Sequence, residues 1–178
     1  MARDLPPIAD DLVEMITEWS DGYIAVVVMF IEAIRKEFPE NSLSGKAVNV
    51  GDIYESNLVT KLYQHHEYNN PEVYRSLPTV LQLRDHDIKK VFRTLLRNGF
   101  VPKPNERCTD SYSKAVSACH SNGWVYAVTV VKNSMQSPLL RQNYVFPHPF
   151  GQSWISWNLD PLEENLSASD TLSEPCMG

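Results

Sequence analysis

The sequence predicts a mainly α fold, in which a helical subdomain is followed by a winged helix-turn-helix with one β-hairpin. Three observations predict it. Apolar residues recur at helical spacing in five segments between residues 8 and 122. The period then changes to two over residues 124–131, which is the pattern of a β-strand. The order helix, helix, hairpin, helix over residues 85–158 is the one expected of a winged helix-turn-helix.

Residues 1–76 form the first predicted subdomain, which is helical. Its main helices are predicted over residues 8–19, 23–38 and 52–67. The second helix is apolar almost all round in its first three turns, so we expect it to be the buried core helix. Pro39 is expected to stop this helix, and residues 40–51 are expected to form a polar connection. A short helix then leads to a boundary near residues 76–78.

Residues 77–159 form the second predicted subdomain. A helix is predicted over residues 85–98, with an apolar stripe that includes Val91, Phe92 and Leu95, and Gly99 is expected to end it. Another helix is predicted over residues 110–122, and Gly123 is expected to end it. A polar turn around residues 132–138 is expected to connect the strand to a partner near residues 144–146. A last short helix is predicted after Pro147 and Pro149.

Six aromatic residues lie on the predicted hairpin and the last helix. We expect them to fill the small core between the hairpin and the helices. The alternative is a platform on which nucleic-acid bases stack. The six residues are Trp124, Tyr126, Phe146, Phe150, Trp154 and Trp157.

Charge is unevenly distributed along the 178 residues, whose net charge is −6. Residues 1–20 carry −4 and residues 159–178 carry −5, so the middle of the chain carries +3. Residues 160–178 show no apolar periodicity and are predicted to be a disordered acidic tail. This distribution of charge argues against a general phosphate-backbone binder, which usually has a basic domain, but it does not exclude one local basic face.

Cysteine usage and hydropathy predict an intracellular protein, cytoplasmic or nuclear, without a membrane partner. Cys108, Cys119 and Cys176 are odd in number and lack CxxC spacing, so we expect reduced thiols. The N-terminal residues lack the apolar core of a signal peptide. The longest apolar run, residues 24–34, contains Glu32 and is shorter than the roughly 20 residues of a membrane span.

No motif predicts a catalytic residue, a cofactor or a metal. The Gly45-Lys46 pair lacks the rest of a phosphate-binding loop, because Ala47 has no hydroxyl. Ser153 lacks the second glycine of a nucleophile elbow. One His-His pair and one Cys-His pair each consist of two consecutive residues. The side chains within each pair therefore diverge on a helix and do not make a metal site. An enzyme of unknown reaction would depend on these four residues, which are His65, His66, Cys119 and His120.

Basic residues of the second predicted subdomain make a candidate face for nucleic acid or a partner. Three of them recur every four residues and share one face of the helix over residues 85–98. The helix over residues 110–122, which would enter the major groove, offers only one certain cation. Strong DNA binders neutralise about six to ten phosphates, so a protein contact is favoured over nucleic acid. The candidate residues are Lys89, Arg93, Arg97, Lys114, Lys132 and Arg141.

Several segments, taken in order, resemble the C-terminal region of fungal P-loop ATPases of the signal-transduction and Crinkler-like type. The segments are Leu77-Pro78, the helix ending RNG (97–99), AVSACHSNGWVYA (115–127) and YVFPHPFGQSWISWNL (144–159). In those proteins a Leu-Pro step, a helix ending in Arg-x-Gly, a Cys-x-x-x-Gly-Trp segment and a Phe-Pro segment ending in Glu-Trp follow one another. Residues 18–34 are similar to the ATPase lid, so the resemblance covers residues 18–159.

This sequence departs from that family at several positions. The Gly-Gly-His step of the lid reads Asp21-Gly22-Tyr23, the Leu-His-Arg step reads Phe150-Gly151-Gln152, and Ser156 replaces the final Glu. No Walker A loop and no acidic Walker B strand are present. The resemblance therefore implies a lid-like helical subdomain and a winged helix acting as a non-catalytic protein-interaction or regulatory module. Its partner would be a protein, such as a full-length ATPase, and a nucleic-acid-binding winged helix is the alternative.

Overall fold

The computed structural model of this chain describes residues 5–64, 71–105, 107–133 and 138–159. These residues are mainly helical with a small three-stranded antiparallel sheet, which confirms the mainly α prediction. The chain divides into two compact units. Unit 1 comprises Met1–Arg75 and His148–Phe150, and unit 2 comprises Ser76–Pro147 and Gly151–Gly178.

Unit 1 is built from helices. They are α1 (Asp10–Ser20), α2 (Ile24–Glu37), α3 (Pro39–Ser44), α4 (Val50–Glu55), α5 (Leu58–Gln64) and α6 (Pro71–Arg75). Asp21, which has a left-handed backbone with φ of 46°, begins the turn between α1 and α2. Ile8 and Val48 form a parallel bridge, through which the segment before α1 is hydrogen-bonded to the segment before α4.

Two predicted boundaries in unit 1 are wrong. The single helix expected over residues 52–67 is divided at Asn57, whose φ of 54° is left-handed and incompatible with a continuous helix. Asn49 also starts α4 earlier than expected, because its side chain accepts a hydrogen bond from the Asp52 amide in a capping box. The polar connection contains α3, whose first residue is Pro39. Proline suits that position, because no helical partner is needed for its missing N–H.

Helix α2 is buried on one side only, so the expectation of a fully buried helix is wrong. Val26, Met29 and Phe30 are completely buried. Ile24 is 75% exposed and Val28 is 40% exposed, and the two lie one helical turn apart. The apolar sequence of α2 therefore covers a core face and an outward apolar face.

An aromatic cluster stabilises unit 1. The ring of Trp19 packs edge-on against Phe30, with centroids 5.8 Å apart, and stacks with Tyr63 at 6.3 Å. Phe150 lies 5.6 Å from Tyr63 and 6.2 Å from Phe30 and is completely buried. The expectation that Phe150 packs between the hairpin and its helices is therefore wrong, because His148–Phe150 belong to unit 1.

His148 is a buried titratable residue that the sequence did not single out. Its imidazole is 2% exposed and stacks on Tyr23 at 4.9 Å and on Phe150 at 6.2 Å. Burial lowers the pKa of His148 from 6.5 to about 4, because the charged ring loses its hydration. The folded protein therefore holds this side chain neutral at pH 7.

Unit 1 is expected to lose stability as the pH falls from 6.5 toward 4. The unfolded His148 takes up a proton near pH 6.5 and the folded one only near pH 4, so the unfolded state binds more protons in between. The loss is about 3 kcal/mol once both states are protonated. Urea unfolding at several pH values measures it. In His148→Phe this part of the pH dependence should vanish, and equal pH profiles for the two proteins would contradict the assignment.

Unit 2 contains the sheet. Its elements are a 3-10 turn (Gln82–Arg84), α7 (His86–Asn98), β1 (Val101–Pro102), α8 (Ser111–Ser121), β2 (Tyr126–Asn133), β3 (Pro138–Val145) and α9 (Pro149–Asn158), whose first two residues belong to unit 1. The antiparallel strands lie in the order β1-β3-β2. Val101 pairs with Tyr144, and Tyr126 pairs with Val145.

The hairpin strands differ from their predicted bounds. β2 begins two residues later than expected and β3 begins six residues earlier, at Pro138. Of the turn predicted around residues 132–138, residues 132 and 133 belong to β2 and residue 138 belongs to β3. Residues 134–137 lie outside the described residues. Strand β1 was not predicted, because a two-residue strand leaves no period in a sequence. The residues after Gly99 were expected to be only a connection.

Phe92 is at the centre of the core of unit 2. Its completely buried ring stacks on Phe146 at 6.1 Å and packs at a tilt against Trp124 at 6.4 Å. Val91 and Leu95 of the same predicted stripe are also buried, which confirms the inward face of α7. Trp157 is 52% exposed, so the expectation that it fills the core is wrong.

Candidate nucleic-acid interface

The two units carry opposite charge. Residues 1–75 contain six Lys and Arg side chains against thirteen Asp and Glu, whereas residues 76–159 contain ten against four. Residues 1–75 therefore carry −7 and residues 76–159 carry +6. Residues 160–178, which unit 2 also includes, carry −5, so unit 2 as a whole carries +1. A charge sum over residues 21–158 mixes part of acidic unit 1 with the basic residues 76–158, and gives only +3.

Helix α7 begins at a capped N-terminus. The Asp85 carboxylate accepts hydrogen bonds from the Asp87 and Ile88 amides, both at 3.0 Å. These two N–H groups would otherwise have no partner within the helix. The cap fixes where α7 begins and therefore where its basic residues lie.

Removing the Asp85 cap is expected to lower the free energy of unfolding of unit 2 by about 1 kcal/mol. The suitable change is Asp85→Ala, because alanine cannot accept the two amide hydrogen bonds. Asp85→Asn is the control, since asparagine caps as well as aspartate does. Urea denaturation measures both variants. Equal losses for the two would show that the charge and not the cap is responsible.

The predicted basic residues of α7 are not equally accessible. Lys89 and Arg93 are half-buried, whereas Arg97 in the last turn is exposed. The exposed Lys90 lies over the ring of Tyr112 on α8, with its ammonium 5.6 Å from the ring centroid. This contact joins the basic side of α7 to α8.

Helix α8 presents polar groups and no carboxylate. Its N-cap is Asp110, which accepts hydrogen bonds from the amide and the hydroxyl of Ser113 at 2.9 and 2.6 Å. Both hydrogen bonds lower the pKa of Asp110, and the bond from the hydroxyl has the larger effect. Ser111, Lys114 and Ser117 are exposed along the helix. Hydroxyl and ammonium groups of this kind donate hydrogen bonds to phosphate oxygens.

The loop before α8 and strand β3 add further cations. The Lys103 amide donates to the Gln142 carbonyl at 2.9 Å, and its ammonium donates to the Gln142 side chain at 3.0 Å. Arg107 in the same loop is exposed, and so is Arg141, which pairs with Val130 across the hairpin. Among the described residues, no carboxylate forms a salt bridge with Arg97, Arg107 or Lys114.

The six predicted site residues differ in their exposure to solvent. Arg97, Lys114 and Arg141 are exposed, and Lys89 and Arg93 are half-buried. The side chain of Lys132 lies outside the described residues. Four further cations of unit 2 are exposed and were not among the predicted site residues. These are Arg84, Lys90, Lys103 and Arg107.

The histidine and cysteine pairs do not form a reactive site where they are described. Cys119 is completely buried, and burial raises its thiol pKa to about 12, so it does not ionise near neutral pH. The adjacent His120 is exposed and stacks on Tyr144 with ring centroids 4.7 Å apart. His65 and His66 lie outside the described residues. Among residues 5–64, 71–105, 107–133 and 138–159, no group of three His, Cys, Asp or Glu side chains could hold a metal ion.

An open cavity of about 360 Å³ lies beside α9. It is lined by Leu96, Gln152, Ser153, Ser156 and Trp157. Ser153 is on a helix and not on a strand-to-helix turn, so it lacks the geometry of a nucleophile elbow. The lining is polar but contains no titratable group that would serve as a base.

Comparison with known proteins adds no relative. No protein-family model, no curated protein and no solved structure matches this chain. The resemblance to the C-terminal region of fungal ATPases stays a prediction. None of the helices in the described ranges has the length and apolar character needed to cross a membrane.

Proposed function

We propose that this protein is a non-catalytic binding module in which the basic residues 76–159 of unit 2 bind nucleic acid. One observation carries the proposal: residues 76–159 have a net charge of +6, and seven of their cations are exposed. Basic domains attract the phosphate backbone and release its counterions on binding. The sequence alone favoured a protein partner, because the helix over residues 110–122 offers only one certain cation and strong DNA binders neutralise about six to ten phosphates.

A winged helix-turn-helix is the fold we propose for unit 2. The order α7, α8 and the hairpin strands β2 and β3 supports it, with α8 as the helix that enters the major groove. One feature differs, because the connection between Gly99 and Asp110 is longer than the usual turn of three or four residues and contains β1.

The exposed groups favour contacts to phosphates over contacts to bases. The exposed residues of α8 are Ser111, Lys114, Ser117, His120 and Ser121, and Lys114 is the one lysine or arginine among them. Arginine, asparagine and glutamine make most bidentate contacts to base edges, and none of them lies within α8. We therefore propose binding with weak sequence preference, in which Arg97, Lys114 and Arg141 contact the backbone.

Fluorescence anisotropy of a labelled short DNA duplex tests the proposal with the full chain. If about four phosphates are neutralised, the affinity should fall about 100-fold between about 50 and 200 mM salt. The affinity should also be the same with and without ATP. Binding that is undetectable at low salt, or that does not respond to salt, would contradict the proposal.

A protein partner is the second candidate, and the outward face of α2 favours it. Ile24 and Val28 form an exposed apolar pair in unit 1, which is acidic and unsuited to nucleic acid. Exposed apolar side chains that lie together mark interaction surfaces more often than scattered ones do. If unit 2 does not bind DNA, this candidate becomes the first.

A further inference from the structure

Strand β2 lies at the edge of the sheet of unit 2. The strand order is β1-β3-β2, so β2 pairs with β3 on one side, and no described residue pairs with its other side. It is eight residues long. An edge strand of this length presents a row of N–H and C=O groups that another strand can pair with.

The register shows which groups face the free edge. The amide of Lys103 donates to the carbonyl of Gln142, so the backbone polar groups of Gln142 face β1. Gln142 lies opposite Thr129 of β2. Because the polar groups of Gln142 face β1, Gln142 and Thr129 form a non-hydrogen-bonded pair of the β2–β3 ladder. The N–H and C=O groups of Thr129 therefore face away from β3. Because the direction alternates with a period of two, those of Ala127 do the same.

The side chains of β2 are also uncovered. Tyr126 is 46% exposed, Val128 37% and Val130 40%, all on one face. Ala127 and Thr129 on the other face are exposed as well. Residues 126–130 contain no charge, proline or glycine, which are the devices that normally keep an edge strand from pairing.

We infer that β2 pairs with β2 of a second copy of this chain, antiparallel about a two-fold axis at Val128. This register places each Tyr126 opposite the second copy's Val130, and each Ala127 opposite its Thr129. The residues with outward N–H and C=O groups then form the hydrogen-bonded pairs, as the ladder requires. Aromatic and β-branched residues stabilise each other in opposite positions, and no like charges meet in residues 126–130.

A second copy fits this edge because residues 126–130 are nearly symmetric about Val128. An aromatic or β-branched residue lies two positions away on each side, and a small residue or threonine lies one position away. Residues 76–159 carry +6 in each copy, and salt screens the repulsion between them, so salt should strengthen the dimer. Nucleic-acid binding has the opposite salt dependence, so the two proposals can fail separately.

Sedimentation analysis of the full chain over a range of concentrations tests the inference. The wild type should form a dimer at high concentration, and more so at higher salt. Val128→Lys should be monomeric, because it places two ammonium groups opposite each other at the axis. Val13→Lys adds the same charge at a 49% exposed valine of α1 and should dimerise like the wild type. A monomeric wild type, or a dimer of Val128→Lys, would overturn the inference.

Cysteine cross-linking tests the register. Opposite residues of a non-hydrogen-bonded pair have Cα atoms about 4.5 Å apart, which a disulfide can bridge. With Cys108 and Cys176 replaced by serine, Val128→Cys should give a disulfide-linked dimer under mild oxidation. Thr129→Cys should not, because it faces the second copy's Ala127. Equal cross-linking of the two variants would show that the pairing is not centred on Val128.

Discussion

Replacing Phe92 by alanine is expected to lower the free energy of unfolding of unit 2 by about 3–5 kcal/mol. The Phe92 ring is completely buried and touches the rings of Trp124 and Phe146, so its removal leaves a cavity between α7 and the residues that flank the hairpin strands. Domains are stable by only about 5–15 kcal/mol, so this loss is a large part of the total. Urea unfolding followed by circular dichroism measures it.

Phe100 provides the matched control for that experiment. It is 42% exposed and lies two residues beyond the end of α7, so Phe100→Ala removes the same atoms without leaving a cavity. We expect a change below about 1 kcal/mol for it. Similar losses for the two variants would contradict the placement of Phe92 at the centre of this core.

Reversing two exposed charges of unit 2 is expected to weaken DNA binding strongly. The variant Arg97→Glu with Lys114→Glu removes two cations that have no salt-bridge partner among the described residues. The affinity at low salt should fall at least about 100-fold, and the salt slope should become shallower by about 2, since each lost phosphate contact removes about one unit. Anisotropy titrations at several salt concentrations measure both quantities.

The control for this variant makes the same charge change in unit 1. Arg35→Glu with Lys46→Glu alters two exposed cations on α2 and after α3. It should leave the salt slope unchanged and lower the affinity much less. If both double variants weaken binding equally, the overall charge and not the surface of unit 2 controls affinity, and the assignment to unit 2 is wrong.

Local sequence signals correctly predicted the helix ends and the buried helix face that depend on residues nearby in the sequence. Gly99 adopts the left-handed conformation that ends α7, and Gly123 adopts the same conformation after α8. The stripe that includes Phe92 faces inward as its spacing predicted. Such residues act through neighbours three or four positions away, so their effect can be read from the sequence alone.

Long-range packing explains most of what the sequence did not show. His148 is buried against Tyr23, which lies far earlier in the chain, and no local pattern connects them. Phe150 likewise packs with Trp19, which also lies far earlier in the chain. Asn57 divides a helix because asparagine tolerates a left-handed backbone, although the apolar stripe continues past it.

The candidate interface was predicted only in part, for a related reason. The basic residues of α7 and α8 were visible in the sequence, but net charge has meaning only for a compact unit. The division between Arg75 and Ser76 separates acidic unit 1 from residues 76–159, which carry +6. Arg97 is exposed and Arg93 is half-buried, although both lie on the same predicted helix face.

Hydrogen–deuterium exchange of the full chain, with and without a short DNA duplex at low salt, is the most direct test of nucleic-acid binding by unit 2. Bound DNA should slow exchange in α7, α8 and β3 and leave helices α1 to α5 unchanged. Slower exchange confined to unit 1, or no change in unit 2 at saturating DNA, would contradict the proposed function.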